Sequence, residues 1–155
     1  MEYNPPHILV VDARFYAEIG DELVRGATAA LEDGRATYER LSVPGAFEIP
    51  AAIKYAVRSL DFEPERRRFD GYVALGCVIR GETSHFDYVC RESARALQGL
   101  VCDHALAMGY GILTVENADQ AWERAAVDGR DKGGSAVRVC LAMIELKHKF
   151  GLYPR

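Results

Sequence analysis

GYVALGCVIRGETSHFDYVC, residues 71–90, decides the fold. Tyr72 to Ile79 is a nearly continuous apolar run, which suits a strand covered on both faces of a parallel sheet better than a half-wet antiparallel one. Gly81 breaks the run. Thr83 or Ser84 can then cap a helix with a hydroxyl oxygen, Asp87 lies in its first turn, and Phe86, Val89, Cys90, Leu97, Leu100 and Val101 recur at helical spacing. The unit is strand, short polar loop, helix. In an open parallel sheet such a loop sits at the carboxyl ends of the strands, where ligands bind, and its amide hydrogens lie at the positive end of a helix. His85 stands at the mouth, where an imidazole gives or takes a proton near neutrality. A histidine in a first helical turn needs no function of its own, so its neighbours decide.

The same unit repeats on either side. Residues 1–6 read as a short extended arm, because Pro5 and Pro6 forbid a helix there. His7 to Asp12 supplies a first, β-branched strand. From Tyr16 onward Ile19, Leu23, Ala27, Ala30 and Leu31 keep helical period, and Gly34 stands where a left-handed cap would end that helix. Ala36 to Val43 makes a second strand, and PGAFEIP (44–50) turns the chain into a helix striped by Ile49, Ile53, Val57 and Leu60, with Pro50 in its first turn. Asp61 to Arg68 is a charged connection into the central strand.

Beyond the long third helix, Met108-Gly109 leads to a fourth strand, Tyr110 to Val115. Asn117 and Gln120 have capping-box spacing for a helix carrying Trp122 and Arg124. A glycine-rich link, Asp128 to Gly134, carries Lys132 and precedes a last helix with Val137, Cys140, Leu141 and Ile144 on one stripe. Lys147, His148 and Lys149 lie near its negative end, with Gly151 after it. Strand and helix alternate four times. The expected architecture is therefore α/β, a three-layer α/β/α domain spanning residues 1–155, with a four-stranded parallel sheet, right-handed crossovers and flavodoxin-like topology. So small a sheet keeps exposed edges and invites association with copies of itself.

Composition narrows the class of function. The chain has 155 residues, 49% hydrophobic and 27% charged, an ordinary globular balance for one domain. A formal charge of −4 argues against a nucleic-acid binder, and the basic run Arg66-Arg67-Arg68 reads as a solvated connection. Cys77, Cys90, Cys102 and Cys140 include no C-x-x-C and no histidine at metal-ligand spacing, so no metal site is expected; the last three sit among apolar residues on expected helices, where a free thiol behaves as a small hydrophobe, which suits a reducing compartment. The start, MEYNPPHILVV, lacks the basic residues of a signal peptide, and its apolar run is too short to span a bilayer. A cytoplasmic protein without membrane contact is expected.

Four loops are expected to meet at one edge of the sheet. They carry Phe15, then Ala46-Phe47-Glu48, then Cys77 to His85, then Tyr110 and, beyond the fourth strand, Arg124. Aromatic rings stack on a heterocycle, Glu48 accepts from hydroxyl or N–H donors, and loop amides with an arginine hold phosphate. The inventory suits a planar polar ligand together with an anion.

The segments PGAFEIP (44–50), GCVIRGETSHFDYVC (76–90), GILTVENADQAWERA (111–125) and DKGGSA (131–136), in this order and spacing, closely resemble the lumazine synthase family. The resemblance implies condensation of 5-amino-6-(D-ribitylamino)uracil with 3,4-dihydroxy-2-butanone 4-phosphate, the penultimate step of riboflavin biosynthesis, without metal or organic cofactor. It implies that Phe15 stacks on the pyrimidine and that Ala46, Phe47, Glu48, Cys77, Val78 and Ile79 bind the ring and ribityl chain. Tyr110 would close the pocket, Glu82 and Thr83 with Arg124 would hold the phosphate, and His85 would move protons. It also implies a homopentamer whose pockets lie between subunits, so that Tyr110 and Arg124 serve a neighbour's His85.

Cys77 stands where threonine is more frequent in that family, Tyr110 where phenylalanine is, and Tyr16 where asparagine is. Glu82 beside a phosphate is repulsive unless its carboxylate points away, so a backbone contact and an outward side chain are expected. The stretch 126–133 lacks the glycine-lysine pattern of shell-forming relatives, which favours an isolated pentamer or a pair of them over a sixty-subunit capsid. Two other readings compete: Cys77 as a nucleophile with His85 as its base, and a flavin- or pterin-binding carrier on the same scaffold.

Overall fold

The computed structural model describes residues 4–152. Residues 1–3 of the expected arm lie outside these, and Asn4, Pro5 and Pro6 approach the first strand without regular structure. Among the described residues, β1 (His7–Ala13), β2 (Thr37–Val43), β3 (Gly71–Ile79) and β4 (Met108–Val115) form an all-parallel sheet in the order β2-β1-β3-β4. Five helices cover its faces: α1 (Ala17–Asp33), α2 (Ile49–Ser59), α3 (His85–His104), α4 (Ala118–Ala125) and α5 (Lys132–Lys149). This is the expected α/β/α arrangement of flavodoxin-like order.

The continuous apolar run of β3 has a direct cause. Its residues 71–77 are buried on both faces of the sheet. On one side Val73 and Leu75 pack with Ile8 and Val10 against Leu23 and Leu31 of α1 and Val137, Cys140 and Ile144 of α5. On the other, Ala74 joins Leu9, Val11 and Ile112 against Ile49 and Ile53 of α2 and Val89 and Leu97 of α3. Each fully buried Val, Leu or Ile among them contributes about 1.5–3 kcal/mol, so the two half-cores hold the layers together. The edge strand β2 differs, being exposed along most of its length, with Tyr38 and Leu41 in solvent.

The topology also places a site. The chain leaves β1 towards β2 and leaves β3 towards β4, in opposite directions along the sheet. The loops after β1 and β3 therefore part and open a crevice at the carboxyl ends, the usual ligand position in such sheets.

Several local expectations need correction. Helix α1 begins at Ala17, with Tyr16 in the capping position, and Gly34 is not left-handed, having φ −76°. Arg35 takes the positive φ, 53°, while a side chain at Gly34 would press 2.5 Å from Leu141 Cδ1. Close packing, and not backbone freedom, explains that glycine. The glycine-rich link ends at Asp131, because Gly133 and Gly134 belong to the first turn of α5. A Cβ on Gly133 would lie 2.0 Å from the Leu23 carbonyl oxygen, so the α1–α5 contact excludes a side chain there.

Ser84 makes no side-chain cap; Thr83 Oγ1 accepts the His85 amide at 3.4 Å. Tyr110 lies within β4, which starts at Met108. Cys102 is exposed, unlike Cys77 and Cys140. Asn117 does cap α4: its Oδ1 accepts the Gln120 amide at 2.9 Å, and Gln120 Oε1 accepts the Glu116 amide at 2.9 Å. Among the described residues, no helix is long and apolar enough to cross a membrane.

Candidate active site

The crevice at the carboxyl ends of β1 and β3 is a cavity of about 430 Å³. Phe15 from the β1–α1 loop, Ala46, Phe47 and Glu48 from the short helical turn before α2, Cys77, Val78 and Ile79 from the end of β3, and Thr83 and His85 at the start of α3 all line it. Three loops that are distant in sequence thus meet because three strand ends are adjacent in the sheet. Tyr16, Pro44, Gly45, Gly81, Phe86 and Val89 also line the cavity, beyond the expected binding residues. Gly81 was legible as a break in the apolar run; Phe86 and Val89 show only the helical period of core residues, and they are indeed buried.

The rings of Phe15 and Phe47 are 74% and 56% exposed, which leaves their faces open to a planar ligand. Phe15 contacts the Tyr16 ring edge-on at 4.9 Å. The Glu48 carboxylate and the His85 imidazole have no hydrogen-bond or ion-pair partner among the described residues, which leaves both available to a ligand. At the mouth, the amino terminus of the 20-residue helix α3 carries the positive end of its dipole. An aromatic ring and an anion can be held side by side here.

Cys77 forms part of the floor. Burial pushes its thiol up to about 12, so thiolate is scarce at neutral pH and the nucleophile reading loses its chemistry. Burial likewise raises the Tyr16 phenol, with Cys77 a smaller contributor. Among the described residues no group of three or more His, Cys, Asp or Glu side chains is arranged to hold a metal ion.

Three expected site residues do not line this cavity. Glu82 is exposed and lies outside its lining. Tyr110 sits in register with Ala74 and lines a separate groove of about 450 Å³, walled by Leu97 and Val101 of α3 and Val139 and Met143 of α5. Arg124 lies on α4, donating from Nη1 to the Gln120 carbonyl at 3.1 Å and standing 3.5 Å from Glu123. Within one chain the cavity therefore draws on three of the four expected loops.

The arrangement is that of an α/β enzyme-type site at a topological switch point, with stacking rings, a free carboxylate, a free imidazole and a helix amino terminus around one hollow. The sequence matches the 6,7-dimethyl-8-ribityllumazine synthase family over residues 5–148. It is 54% identical over 146 residues to the 6,7-dimethyl-8-ribityllumazine synthase of Bartonella tribocorum, covering 94% of this chain and 93% of that protein. Identity is also 54% over 148 residues to the synthase of Agrobacterium fabrum, covering 96% and 99% of the two chains, and to 6,7-dimethyl-8-ribityllumazine synthase 1 of Rhizobium meliloti, covering 96% and 95%. The chain belongs to the 6,7-dimethyl-8-ribityllumazine synthase family, and as a member it is an enzyme of the transferase class.

Proposed function

We propose that this single-domain enzyme condenses 5-amino-6-(D-ribitylamino)uracil with 3,4-dihydroxy-2-butanone 4-phosphate to 6,7-dimethyl-8-ribityllumazine, the penultimate step of riboflavin formation. The observation that carries the reading is the 430 Å³ cavity in which exposed Phe15 and Phe47, unpaired Glu48 and unpaired His85 face one hollow. The pyrimidine stacks on Phe15, beside Phe47 and Ala46. Glu48 accepts from ring N–H or ribityl hydroxyl groups, and Cys77, Val78 and Ile79 line the same subsite. The phosphate of the second substrate lies against the amides around Glu82 and Thr83, with the Glu82 side chain turned outward.

Chemistry follows from that placement. The 5-amino group attacks the ketone, water leaves to give an imine, and loss of a proton from the carbon chain expels inorganic phosphate. The ribityl-bearing amine then closes the ring with loss of a second water. His85 carries protons between these steps, work worth about 10²- to 10⁴-fold for a placed imidazole. Holding the two reactants face to face lowers the barrier by roughly 7–11 kcal/mol in favourable cases. No step calls for a cofactor.

The phosphate site needs a cation that the chain's own cavity lacks. We assign it to Arg124 of an adjoining subunit, with Tyr110 of that subunit closing the pocket, in a cytoplasmic homopentamer that requires neither nucleic acid nor membrane. The exposed β2 edge and the apolar groove around Tyr110 are compatible with such an assembly.

Purified protein given both substrates should release phosphate and accumulate the fluorescent lumazine in equal amounts, and neither should form when one substrate is omitted. Tight binding of lumazine without any turnover would replace this reading with that of a carrier.

A further inference from the structure

Among the described residues Asp12 is the carboxylate fully removed from solvent. A buried charge is costly unless paired, and this one is paired several times over. Arg40 donates from Nε at 2.8 Å and from Nη2 at 3.1 Å, Ser42 Oγ donates at 3.0 Å, and Arg14 Nη1 stands 3.8 Å away. The same Arg14 nitrogen donates to Asp21 of α1 at 2.5 Å, and the Arg14 amide donates to the Val43 carbonyl at 2.9 Å. Arg14 is thus fixed from β1, from the end of β2 and from α1 at once.

The next residue is Phe15, whose ring lines the cavity while 74% exposed. Beyond its edge-on contact with Tyr16, little within the chain restrains so exposed a ring, so the backbone that carries it has to place it.

The geometry points to Arg14 as a positioning residue: clamped between Asp12 and Asp21, it presets the β1–α1 loop so that Phe15 lies over the cavity before the ring-bearing substrate arrives. The inference rests on the proposed role of Phe15 as the stacking platform. Its consequence is selective. Loosening the clamp weakens capture of the pyrimidine and leaves the phosphorylated ketone, held at the other end of the hollow, unaffected.

Asp21 is the place to test it, since its side chain is 63% exposed and does not line the cavity. Asp21→Asn should raise KM for the pyrimidine about 3- to 5-fold, the upper range for a largely exposed ion pair, with kcat and the ketone KM changed less than about 2-fold. Asp21→Glu should restore the wild-type value. In a Phe15→Ala background Asp21→Asn should add nothing, because its effect passes through that ring.

An equal effect of Asp21→Asn in both backgrounds, or no effect on the pyrimidine KM in either, would overturn the clamp. If wild-type protein makes no lumazine, the proposed function fails instead. The same cycle is then read from pyrimidine binding by calorimetry, which needs no turnover.

Discussion

The guanidinium of Arg80 lies 4.3 Å over the centroid of the Phe86 ring. Arg80 also bonds Glu116 at 2.7 Å and reaches Asp87 at 3.5 Å, so one side chain ties the loop after β3 to the first turn of α3 and to the end of β4. Gly81, Thr83 and His85 hang on that loop. Arg80→Ala should lower stability slightly, the two half-exposed ion pairs adding little to the cation–π contact. It should also lower kcat by loosening the position of His85. Urea unfolding together with steady-state kinetics checks both.

His85→Ala should slow turnover by about 10²-fold while KM for both substrates stays within a few-fold, because a proton carrier contributes mainly in the transition state. Unchanged kcat would remove the imidazole from the mechanism.

Gly133→Ala should destabilise by about 3 kcal/mol or more. The added carbon would meet the Leu23 carbonyl at 2.0 Å, which forces α1 and α5 apart. By contrast Asn117→Ala removes one capping bond and should cost about 1 kcal/mol. Thermal melts of the two variants should rank in that order.

Alkaline sensitivity has a definite window. Burial pushes both Cys77 and Cys140 up to about 12, whereas an unfolded thiol titrates near about 8.5. Between these values the unfolded chain gives up protons that the folded one keeps, so stability present below the lower value drains away as pH rises. The slope is about 1.4 kcal/mol per pH unit for each thiol. Cys140→Ala should make it shallower in reducing urea titrations from neutral to alkaline pH, with buried Tyr72 and half-buried Cys90 keeping part of it. At pH 8, iodoacetamide should label exposed Cys102 well before either buried thiol.

Much of the fold was legible because burial leaves a pattern. A strand covered on both faces, such as 71–77, must be apolar throughout, and α1, α2 and α5 bury one stripe each, so Leu23, Ile53 and Val137 recur on schedule. Cap conformations were less legible. Whether a glycine serves a left-handed turn or a close contact depends on what packs against it, and at Gly34 that partner, Leu141, comes from the far end of the chain.

The site divides in the same way. Phe15, Phe47, Glu48, Cys77, Thr83 and His85 follow strand ends, so topology alone gathers them. Tyr110 and Arg124 follow no strand end on that edge, and the single chain keeps them apart from the cavity. The buried pairing of Asp12 is not legible in the sequence, because its partners Arg40 and Ser42 are set by the β1–β2 register.

Two crippled variants decide whether the site is shared between chains. His85→Ala and Arg124→Ala chains, carrying different tags and produced together, are purified as mixed oligomers and assayed at limiting phosphorylated ketone. Activity above the mean of the two parent variants is the expected result, since some hollows then combine an intact imidazole from one chain with an intact guanidinium from the next. Activity at that mean would place both groups on one chain and contradict a site completed by a neighbour.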